Sequence, residues 1–148
     1  MQAIIFTGIQ ATGKSTFYKE NFLNTHVRIS LDLLNTRNKE QQFLQTCFDT
    51  YTRFVVDNTN PTSKERKKYI QWAKENKYEV IGYYFSSSIK EALERNDRRI
   101  GKEKIPEIGI KSCHSKLELP TMQEGFDKLY FVKNIDNEFI IKEWEDEI

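Results

Sequence analysis

The amino-acid sequence predicts an α/β fold in which a parallel β-sheet of about five strands is flanked by helices on both faces. Short apolar, β-branched or aromatic runs alternate along the chain with longer charged stretches of helical period, which is typical of a parallel sheet covered by helices. The chain of 148 residues is long enough for one domain that buries its own core. We therefore expect a single domain over residues 1–148.

Five strands and five helices are predicted in alternation. The strands are the short runs rich in β-branched and aromatic residues, namely Ala3–Thr7, Val27–Ile29, Phe54–Val56, Val80–Phe85 and Leu129–Val132. The helices are the charged stretches of helical period, namely Lys14–Leu23, Lys39–Tyr51, Lys64–Glu75, Ile89–Arg99 and Ile108–Leu117. The run from Phe139 to Trp144 fits either an edge strand or a terminal helix, and both alternatives stay open.

The net charge is only +1, but it is unevenly distributed along the chain. Residues 1–116 carry 20 Lys and Arg against 13 Asp and Glu, whereas residues 117–148 carry 3 against 9. The small total argues against a protein that coats nucleic acid. The uneven distribution fits either a basic working face or a solvated acidic C-terminal tail beside an ordinary basic body.

The sequence carries no sign of a membrane span, a disulfide framework or a metal cluster. No apolar run approaches the roughly 18 residues of a membrane span, and no basic segment opens the chain. Cys47 and Cys113 form no C-x-x-C motif and fit small buried residues in a reducing compartment. His26 and His114 are too few and too scattered for a metal site. We expect a cytoplasmic protein without a membrane partner.

The segment from Gly8 to Ser15 matches the phosphate-binding pattern G-x4-G-K-[ST] at every fixed position and directly follows the first strand. Its glycines let the backbone wrap around phosphates, so that N–H groups point inward at the start of the next helix. We expect ATP to bind Gly8, Gln10, Ala11, Thr12, Gly13, Lys14, Ser15 and Thr16. Lys14 would reach the β- and γ-phosphates and Ser15 would ligate Mg²⁺. The alternative is an ordinary strand-to-helix turn that contains glycine.

Asp32 follows the second strand, and ligands of open α/β sheets bind beyond the carboxyl ends of the strands. A carboxylate there can face the γ-phosphate from the side opposite ADP, where an acceptor hydroxyl must lie for in-line transfer. Asp32 is therefore a candidate general base. The alternative is that it caps a short helix beginning at Leu33 and Leu34.

Asp57 ends the third strand, where enzymes with a phosphate loop place the carboxylate that orients Mg²⁺ through its water shell. We therefore assign Asp57 to the metal side of the site together with Ser15. The competing interpretation is a turn before Pro61, with Thr62 or Ser63 capping the next helix. We expect turn roles for Asn58 and Asn60.

Arg95 and Arg99 lie in the predicted helix that follows the fourth strand. Their spacing of four residues places them on one face of that helix. Two guanidinium groups on a mobile helix could close over the triphosphate and stabilise the transferring phosphoryl group. The alternative is a solvated helix face, which is the usual location of arginine.

Read together, several segments resemble the kinase domain of polynucleotide 5′-hydroxyl kinases, and also small stand-alone bacterial proteins with a phosphate loop. The segments are Gly13-Lys14-Ser15-Thr16-Phe17, Val56-Asp57-Asn58-Thr59-Asn60-Pro61, Arg95-Asn96 with Arg99, Ile105-Pro106, and Leu119-Pro120-Thr121-Met122-Gln123-Glu124-Gly125-Phe126. The resemblance runs from about residue 3 to 132 and leaves 133–148 as an acidic C-terminal extension. It implies the fold of the P-loop kinases and no room for the phosphatase modules of larger members.

The resemblance implies transfer of a phosphoryl group from ATP to an acceptor hydroxyl. It implies that Lys14 and Ser15 bind the triphosphate and Mg²⁺, that Asp32 accepts the hydroxyl proton, and that Arg99 belongs to the lid with Arg95. This chain also departs from the family. The family usually has Asn-Arg-Asp where this chain has Ser30-Leu31-Asp32, and an arginine that some members carry three residues after the base falls on Asn35, with Arg37 nearby.

Three functions follow in order of preference. The first is a kinase that phosphorylates the 5′-hydroxyl end of RNA or DNA. The second is a kinase of a small metabolite or nucleoside, which Leu31 and the near-neutral net charge favour. The third is a nucleotide-dependent switch or binding module, which would leave Asp32 without a role. No segment indicates an obligate protein partner.

Overall fold

A single six-stranded sheet organises the parts of the chain that the computed structural model describes, residues 1–86, 88–136 and 138–145. Its order is β2-β3-β1-β4-β5-β6. The strands are β1 (Gln2–Thr7), β2 (Val27–Ile29), β3 (Phe54–Val56), β4 (Glu79–Phe85), β5 (Lys128–Ile135) and β6 (Glu138–Glu143). Five strands are parallel, and β6 pairs antiparallel with β5. The predicted α/β class with a parallel sheet of about five strands is confirmed, and the open run from Phe139 to Trp144 contains the edge strand.

Six helices connect the strands in the described ranges. They are α1 (Lys14–Asn21), α2 (Leu31–Leu34), α3 (Arg37–Asp49), α4 (Ser63–Glu75), α5 (Ile89–Asp97) and α6 (Glu107–Lys116), with 3-10 turns at Gly101–Glu103 and Met122–Glu124. Hydroxyl side chains begin three of them, because Thr36, Thr62 and Ser88 accept hydrogen bonds from backbone N–H groups of α3, α4 and α5. The cap at Thr62 is one that the sequence predicted.

Buried apolar clusters cover both faces of the sheet. Ala3 and Ile5 of β1 face the cluster that includes Phe48 of α3 and Ile70 of α4. The alternate residues Ile4 and Phe6 face the cluster that includes Phe17 of α1. Because parallel strands are buried on both sides, β1 reads as a continuous apolar run rather than an alternating one. The same burial directs its carboxyl end, and the loop that follows, to one edge of the sheet.

Helix α5 is shorter than predicted, and this changes the relation between Arg95 and Arg99. The helix ends at Asp97, so Arg99 lies in the following loop and the prediction that both arginines share one helix face is wrong. The reason is Asn96, whose buried side chain donates to Ile105 O at 2.6 Å and accepts from Ile105 N at 2.9 Å. These two bonds close a loop over residues 97–104 and turn the chain away from the helix.

The C-terminal acidic region is not a free tail over its described part. Strand β6 pairs with β5, and Phe139 packs against Phe17 of α1 with 5.2 Å between ring centroids. Trp144 packs edge-on against Tyr84 at 5.6 Å. Residues 138–143 therefore form an exposed edge strand and not a free tail, while 146–148 lie outside the described residues. None of the described helices is both long and apolar enough to span a bilayer.

Candidate active site

The loop between β1 and α1 wraps tightly, and two positions in it need unusual backbone angles. Gly13 begins α1 with a φ of +95°, and Ala11 has a φ of +62°. A Cβ atom on Gly13 would also lie 2.9 Å from Asn134 Nδ2 and 3.0 Å from Phe139 Cε1. Glycine therefore fits Gly13 for both conformation and space. The hairpin of β5 and β6 holds the loop from behind.

Lys14 is folded into the phosphate loop. Its Nζ donates to the carbonyl oxygens of Gly8 at 2.9 Å and Ile9 at 2.7 Å. Burial lowers the pKa of Lys14 from 10.5 to about 8, while the nearby carboxylate of Asp57 opposes the shift. The carbonyl dipoles offset only part of the free-energy cost of burying the Lys14 ammonium. The loop therefore favours the binding of an anion beside Lys14.

Ser15, Asp57 and Arg28 form a compact polar triad beside the loop. Ser15 Oγ donates to Asp57 Oδ2 at 3.1 Å. Arg28 Nε donates to the same carboxylate oxygen at 2.8 Å, and Arg28 Nη2 donates to Ser15 Oγ at 3.0 Å. A hydroxyl and a buried carboxylate at the start of α1 are the hard oxygen donors that suit Mg²⁺ with few protein ligands. The donor set therefore fits the ion that the sequence predicted.

Arg28 is a site residue that the sequence analysis missed. It lies within β2, between Val27 and Ile29, where its residue type looked like a charged interruption of an apolar strand. The available signal was its position one residue before the carboxyl end of a strand that pairs in parallel with β3, which carries Asp57 just beyond its end. The side chains of Arg28 and Asp57 come together because the strand register pairs Ile29 with Val56, and a register of this kind is not visible in the sequence.

Asp32 lies in the first turn of α2 and is exposed in the main cleft, which has a volume of about 600 Å³. The same cleft is lined by Lys14, Ser15 and Asp57. The helix begins at Leu31 with Ser30 as its N-cap residue, so the alternative that Asp32 caps the helix is wrong. The Asp32 carboxylate makes no hydrogen bond or ion pair with the described residues, and it is free to meet a ligand.

Asn58 fixes the start of α2. Its side-chain oxygen accepts from Leu31 N at 2.9 Å, and its Nδ2 donates to buried Glu40 Oε2 at 2.9 Å. Asn58 lies at a bend, and its amide also bridges α2 and α3. Glu40 in turn accepts from Tyr69 Oη at 2.8 Å and Arg37 Nη1 at 3.1 Å. Burial and the Glu40 carboxylate raise the pKa of Tyr69, which stays a neutral donor.

Asn60 and its neighbours are held by a buried ion pair. Arg66 is fully buried and contacts Glu124 through Nε at 2.8 Å and Nη2 at 3.2 Å, while its Nη1 donates to Asn60 O at 2.9 Å. Asn60 has a φ of +42°, and its Nδ2 donates to Phe6 O of β1 at 2.8 Å. Glu124 belongs to the segment Leu119–Phe126 that resembled the kinase family. That segment therefore supports the loop beyond Asp57 from behind, outside the cleft.

The two arginines after β4 differ in the clefts that they line. Arg99 lines the main cleft with Asp32, and its Nη1 donates to Glu103 O at 3.2 Å. Arg95 donates to Ala11 O at 3.4 Å and Asn134 O at 3.1 Å, beside a second cleft of about 750 Å³. Both arginines therefore line the second cleft, and Arg99 lines the main cleft as well.

Three curated proteins are similar to this chain. The "Bifunctional polynucleotide phosphatase/kinase" of Schizosaccharomyces pombe is 29% identical over 129 residues, which cover 84% of this chain and 32% of that protein. The "Putative bifunctional polynucleotide phosphatase/kinase" of Acanthamoeba polyphaga mimivirus is 29% identical over 146 residues, 90% of this chain and 35% of that protein. The "L-seryl-tRNA(Sec) kinase" of Methanococcus maripaludis is 25% identical over 145 residues, which cover 84% of this chain and 55% of that protein. The chain thus spans about a third of the first two relatives. No protein-family model matches it.

Solved structures agree on the fold. A gluconokinase from Sinorhizobium meliloti superposes with a TM-score of 0.64 at 17% identity, covering 89% of this chain and 82% of that one. Chaetomium thermophilum Kti12 in complex with ADP-AlF3 superposes with a TM-score of 0.64 at 15% identity. The superposition covers 90% of this chain and 91% of that one. The chain therefore has the P-loop kinase fold. The resemblance to polynucleotide kinases that the sequence indicated is confirmed by the first two relatives.

Proposed function

We propose that this chain, a P-loop kinase-like domain, transfers the γ-phosphate of ATP to a hydroxyl acceptor, and that the acceptor is the 5′-hydroxyl end of a polynucleotide. One observation carries the proposal. The unpartnered carboxylate of Asp32 lines the same cleft as Lys14, Ser15 and Asp57. A switch or binding module needs the last three groups to hold a nucleotide, but it needs no exposed carboxylate in front of them.

The nucleotide side of the reaction belongs to the phosphate loop. The N–H groups at the start of α1 and the ammonium of Lys14 bind the β- and γ-phosphates, and Lys14 exchanges its two carbonyl contacts for phosphate oxygens. Ser15 and Asp57 would hold Mg²⁺, which neutralises charge that develops on the phosphates. Arg28 must then release Ser15, because one hydroxyl oxygen cannot serve both cations well.

The acceptor side belongs to α2 and the loop after α5. Asp32 orients the acceptor hydroxyl for in-line attack and accepts its proton as the phosphoryl group moves across. Arg99, in the same cleft, stabilises negative charge on the transferring group. Arg95 acts with the lid by holding Ala11 of the phosphate loop. We propose the cytoplasm as the compartment, where the buried free thiols of Cys47 and Cys113 stay reduced.

A polynucleotide end is the proposed acceptor because two relatives are named polynucleotide phosphatase/kinases and match 84% and 90% of this chain. The segments that carry the resemblance also hold two loops of the candidate site in place. Glu124 and Arg66 hold the loop of Asn60, and Asn96 closes the loop that contains Arg99. The matching residues therefore form the frame of the cleft.

The test is transfer of label from γ-labelled ATP in the presence of Mg²⁺. A 5′-hydroxyl oligonucleotide should be labelled, whereas the same oligonucleotide with a 5′-phosphate should remain unlabelled. The panel also includes L-seryl-tRNA(Sec), nucleosides and small polyols. Asp32→Asn is the matched inactive variant, and loss of labelling with this variant shows that the label is not transferred by a contaminating kinase. Labelling of a nucleoside or polyol without any labelled RNA or DNA end would overturn the polynucleotide assignment.

A kinase of a small molecule is the second candidate, and Leu31 favours it. This half-buried residue lines the cleft where the polynucleotide kinase family usually carries an arginine next to the base. The acceptor side is less basic as a result. The same acceptor panel decides between the two candidates.

A further inference from the structure

A groove between helices α3 and α4 adjoins the main cleft. Arg37, Gln41 and Leu44 line it from α3, and Lys68 and Trp72 line it from α4. We call it the α3–α4 groove; its volume is about 360 Å³. Arg37 also lines the main cleft, so the two cavities meet at its side chain. A ligand that leaves the cleft past Arg37 enters the groove.

Arg37 is held in a way that leaves part of its guanidinium available. Its Nη1 donates to Glu40 Oε1 at 3.1 Å and to Tyr69 Oη at 2.8 Å, and both partners are buried. All hydrogen bonds of Arg37 within the described residues use Nη1. The Nε and Nη2 groups can therefore donate to an anion while Glu40 keeps the side chain in place.

Lys68 adds a second positive charge at the mouth of the groove. Its Nζ lies 3.9 Å from Glu40 Oε1 and 4.8 Å from the centroid of the Tyr69 ring. The buried carboxylate of Glu40 thus faces two cations, and the carboxylate of Glu65 also lies within electrostatic reach of Lys68. The groove below is apolar, because it is lined by Leu44 and by Trp72, which packs on Phe48 with 5.0 Å between ring centroids.

We propose that the α3–α4 groove is the subsite for the second nucleotide of a single-stranded acceptor. Its base would pack against Trp72 and Leu44, with Gln41 at the base edge, and its phosphate would lie between Arg37 and Lys68. Cationic groups that track the backbone beside an aromatic surface for the base are how proteins bind single strands. The inference rests on the proposed function, which places the first nucleotide at Asp32. An uncharged metabolite would gain no attraction from either cation.

The first test compares kcat/KM for a 5′-hydroxyl dinucleotide and for a nucleoside 3′-phosphate, which lacks the second nucleoside. The dinucleotide should be preferred on the order of tenfold, the scale of one base stacked on an aromatic side chain. Gln41→Glu, at the base edge, should reduce that preference to about threefold or less, whereas Lys68→Ala should lower kcat/KM for both acceptors, because both carry the phosphate that Lys68 contacts; both residues are exposed. Lys67→Ala is the matched control, since Lys67 lines a different cavity, and it should keep the full preference.

The second test measures binding without chemistry. The chain contains two tryptophans, so Trp144→Phe leaves Trp72 as the sole reporter. With ADP present, the dinucleotide should quench Trp72 emission and the nucleoside 3′-phosphate should not. Equal effects of the two ligands, or an unchanged preference in Gln41→Glu, would overturn the subsite. If no nucleic-acid end is labelled at all, the proposed function fails, and quenching still decides whether the groove binds a nucleotide.

Discussion

At the scale of single residues, Lys14 links the electrostatics of the phosphate loop to nucleotide binding. Its pKa is lowered to about 8 by burial. Between about 8 and 10.5 the folded chain therefore carries a neutral amine where the unfolded chain carries an ammonium. The unfolded state binds more protons in this window, so this group makes the free energy of unfolding rise with pH. Below about pH 8 the buried charge lowers stability.

The same shift predicts proton uptake when nucleotide binds. Phosphate oxygens favour the charged amine and raise its pKa, so ADP binding near pH 9 should take up a proton. Calorimetry in buffers of different ionisation enthalpy measures this uptake. Lys14→Met should abolish it and should weaken ADP binding, whereas Lys19→Met, at an exposed position of the same helix, should leave it intact. Uptake that persists in Lys14→Met would assign the proton to another group.

Asp32→Asn separates chemistry from binding. The amide keeps the shape of the side chain and removes its basicity, and a positioned general base contributes about 10² to 10⁴ in rate. We expect transfer to fall by that factor while ATP affinity stays near that of the wild type. Calorimetry and labelled-ATP transfer measure the two quantities. Exposed Asp49→Asn is the control, and normal transfer by Asp32→Asn would remove Asp32 from the mechanism.

Arg28 predicts a competition between an arginine and a metal ion. Its guanidinium neutralises Asp57 and occupies Ser15, the two groups assigned to Mg²⁺. A unit charge about 4 Å from a divalent ion costs about 2 kcal/mol even in water. Arg28→Gln should therefore lower the Mg²⁺ concentration that half-saturates ADP binding by tenfold or more. It should also lower the Tm of the metal-free chain, because Asp57 is buried and loses its partner.

The control for that measurement is Arg53→Gln, an exposed arginine just before β3. Its Mg²⁺ dependence should match the wild type. If Arg28→Gln instead weakens ADP binding in the absence of Mg²⁺, Arg28 is a phosphate ligand and the competition is refuted.

At the scale of elements, the buried pair of Arg66 and Glu124 should matter far more than a surface pair. Arg66 is fully buried and has Glu124 as its ion-pair partner in the described residues. Glu124→Gln should lower the free energy of unfolding by about 3–5 kcal/mol, because it leaves an uncompensated buried charge. Denaturant unfolding measures this. Glu79→Gln breaks the exposed contact with Lys128 at 3.8 Å and should cost about 1 kcal/mol or less.

The elements that could be predicted from sequence are those whose signal is local. The buried strand Phe54–Val56 reads as a continuous apolar run, and both this strand and the more exposed Val27–Ile29 were predicted to the residue. Helix α2, with four residues, is too short for a periodic signal, and its position depends on Asn58 from a loop that is distant in sequence. The end of α5 likewise depends on a long-range contact, from Asn96 to Ile105.

The residues of the candidate site also fall into two groups, those with a local sequence signal and those whose role depends on a partner distant in sequence. Gly13, Lys14 and Ser15 form a contiguous motif, so the nucleotide side was accessible to sequence reasoning. Arg28 and Glu40 were not, because each acts through a partner on another element, at Asp57 and at Asn58. Their roles appear only when strand register and helix packing bring those partners together.

At the scale of the whole molecule, the charge distribution sets how the chain should hold a polynucleotide. The 117–148 region carries 3 basic and 9 acidic residues, and its described strands form one end of the sheet. The cationic side chains proposed to meet the acceptor, Arg37 and Lys68, lie on α3, which packs on β2, and on α4, which packs on β1 and β4. A long strand would gain no further attraction by extending toward the acidic end.

Acceptor length and salt dependence should therefore both be modest. Binding of a single strand loses about 0.7 in log K per tenfold rise in salt for each phosphate neutralised. One or two phosphates neutralised by Arg37 and Lys68 predict a slope of about −0.7 to −1.4, and oligonucleotides of a few nucleotides should be labelled nearly as well as long ones. Fluorescence anisotropy of labelled 5′-hydroxyl strands across a salt series measures the slope, and Lys68→Ala should make it shallower where Lys67→Ala does not. A slope steeper than about −4, or labelling that keeps rising with length, would show that the strand follows a longer basic path than the two helices provide.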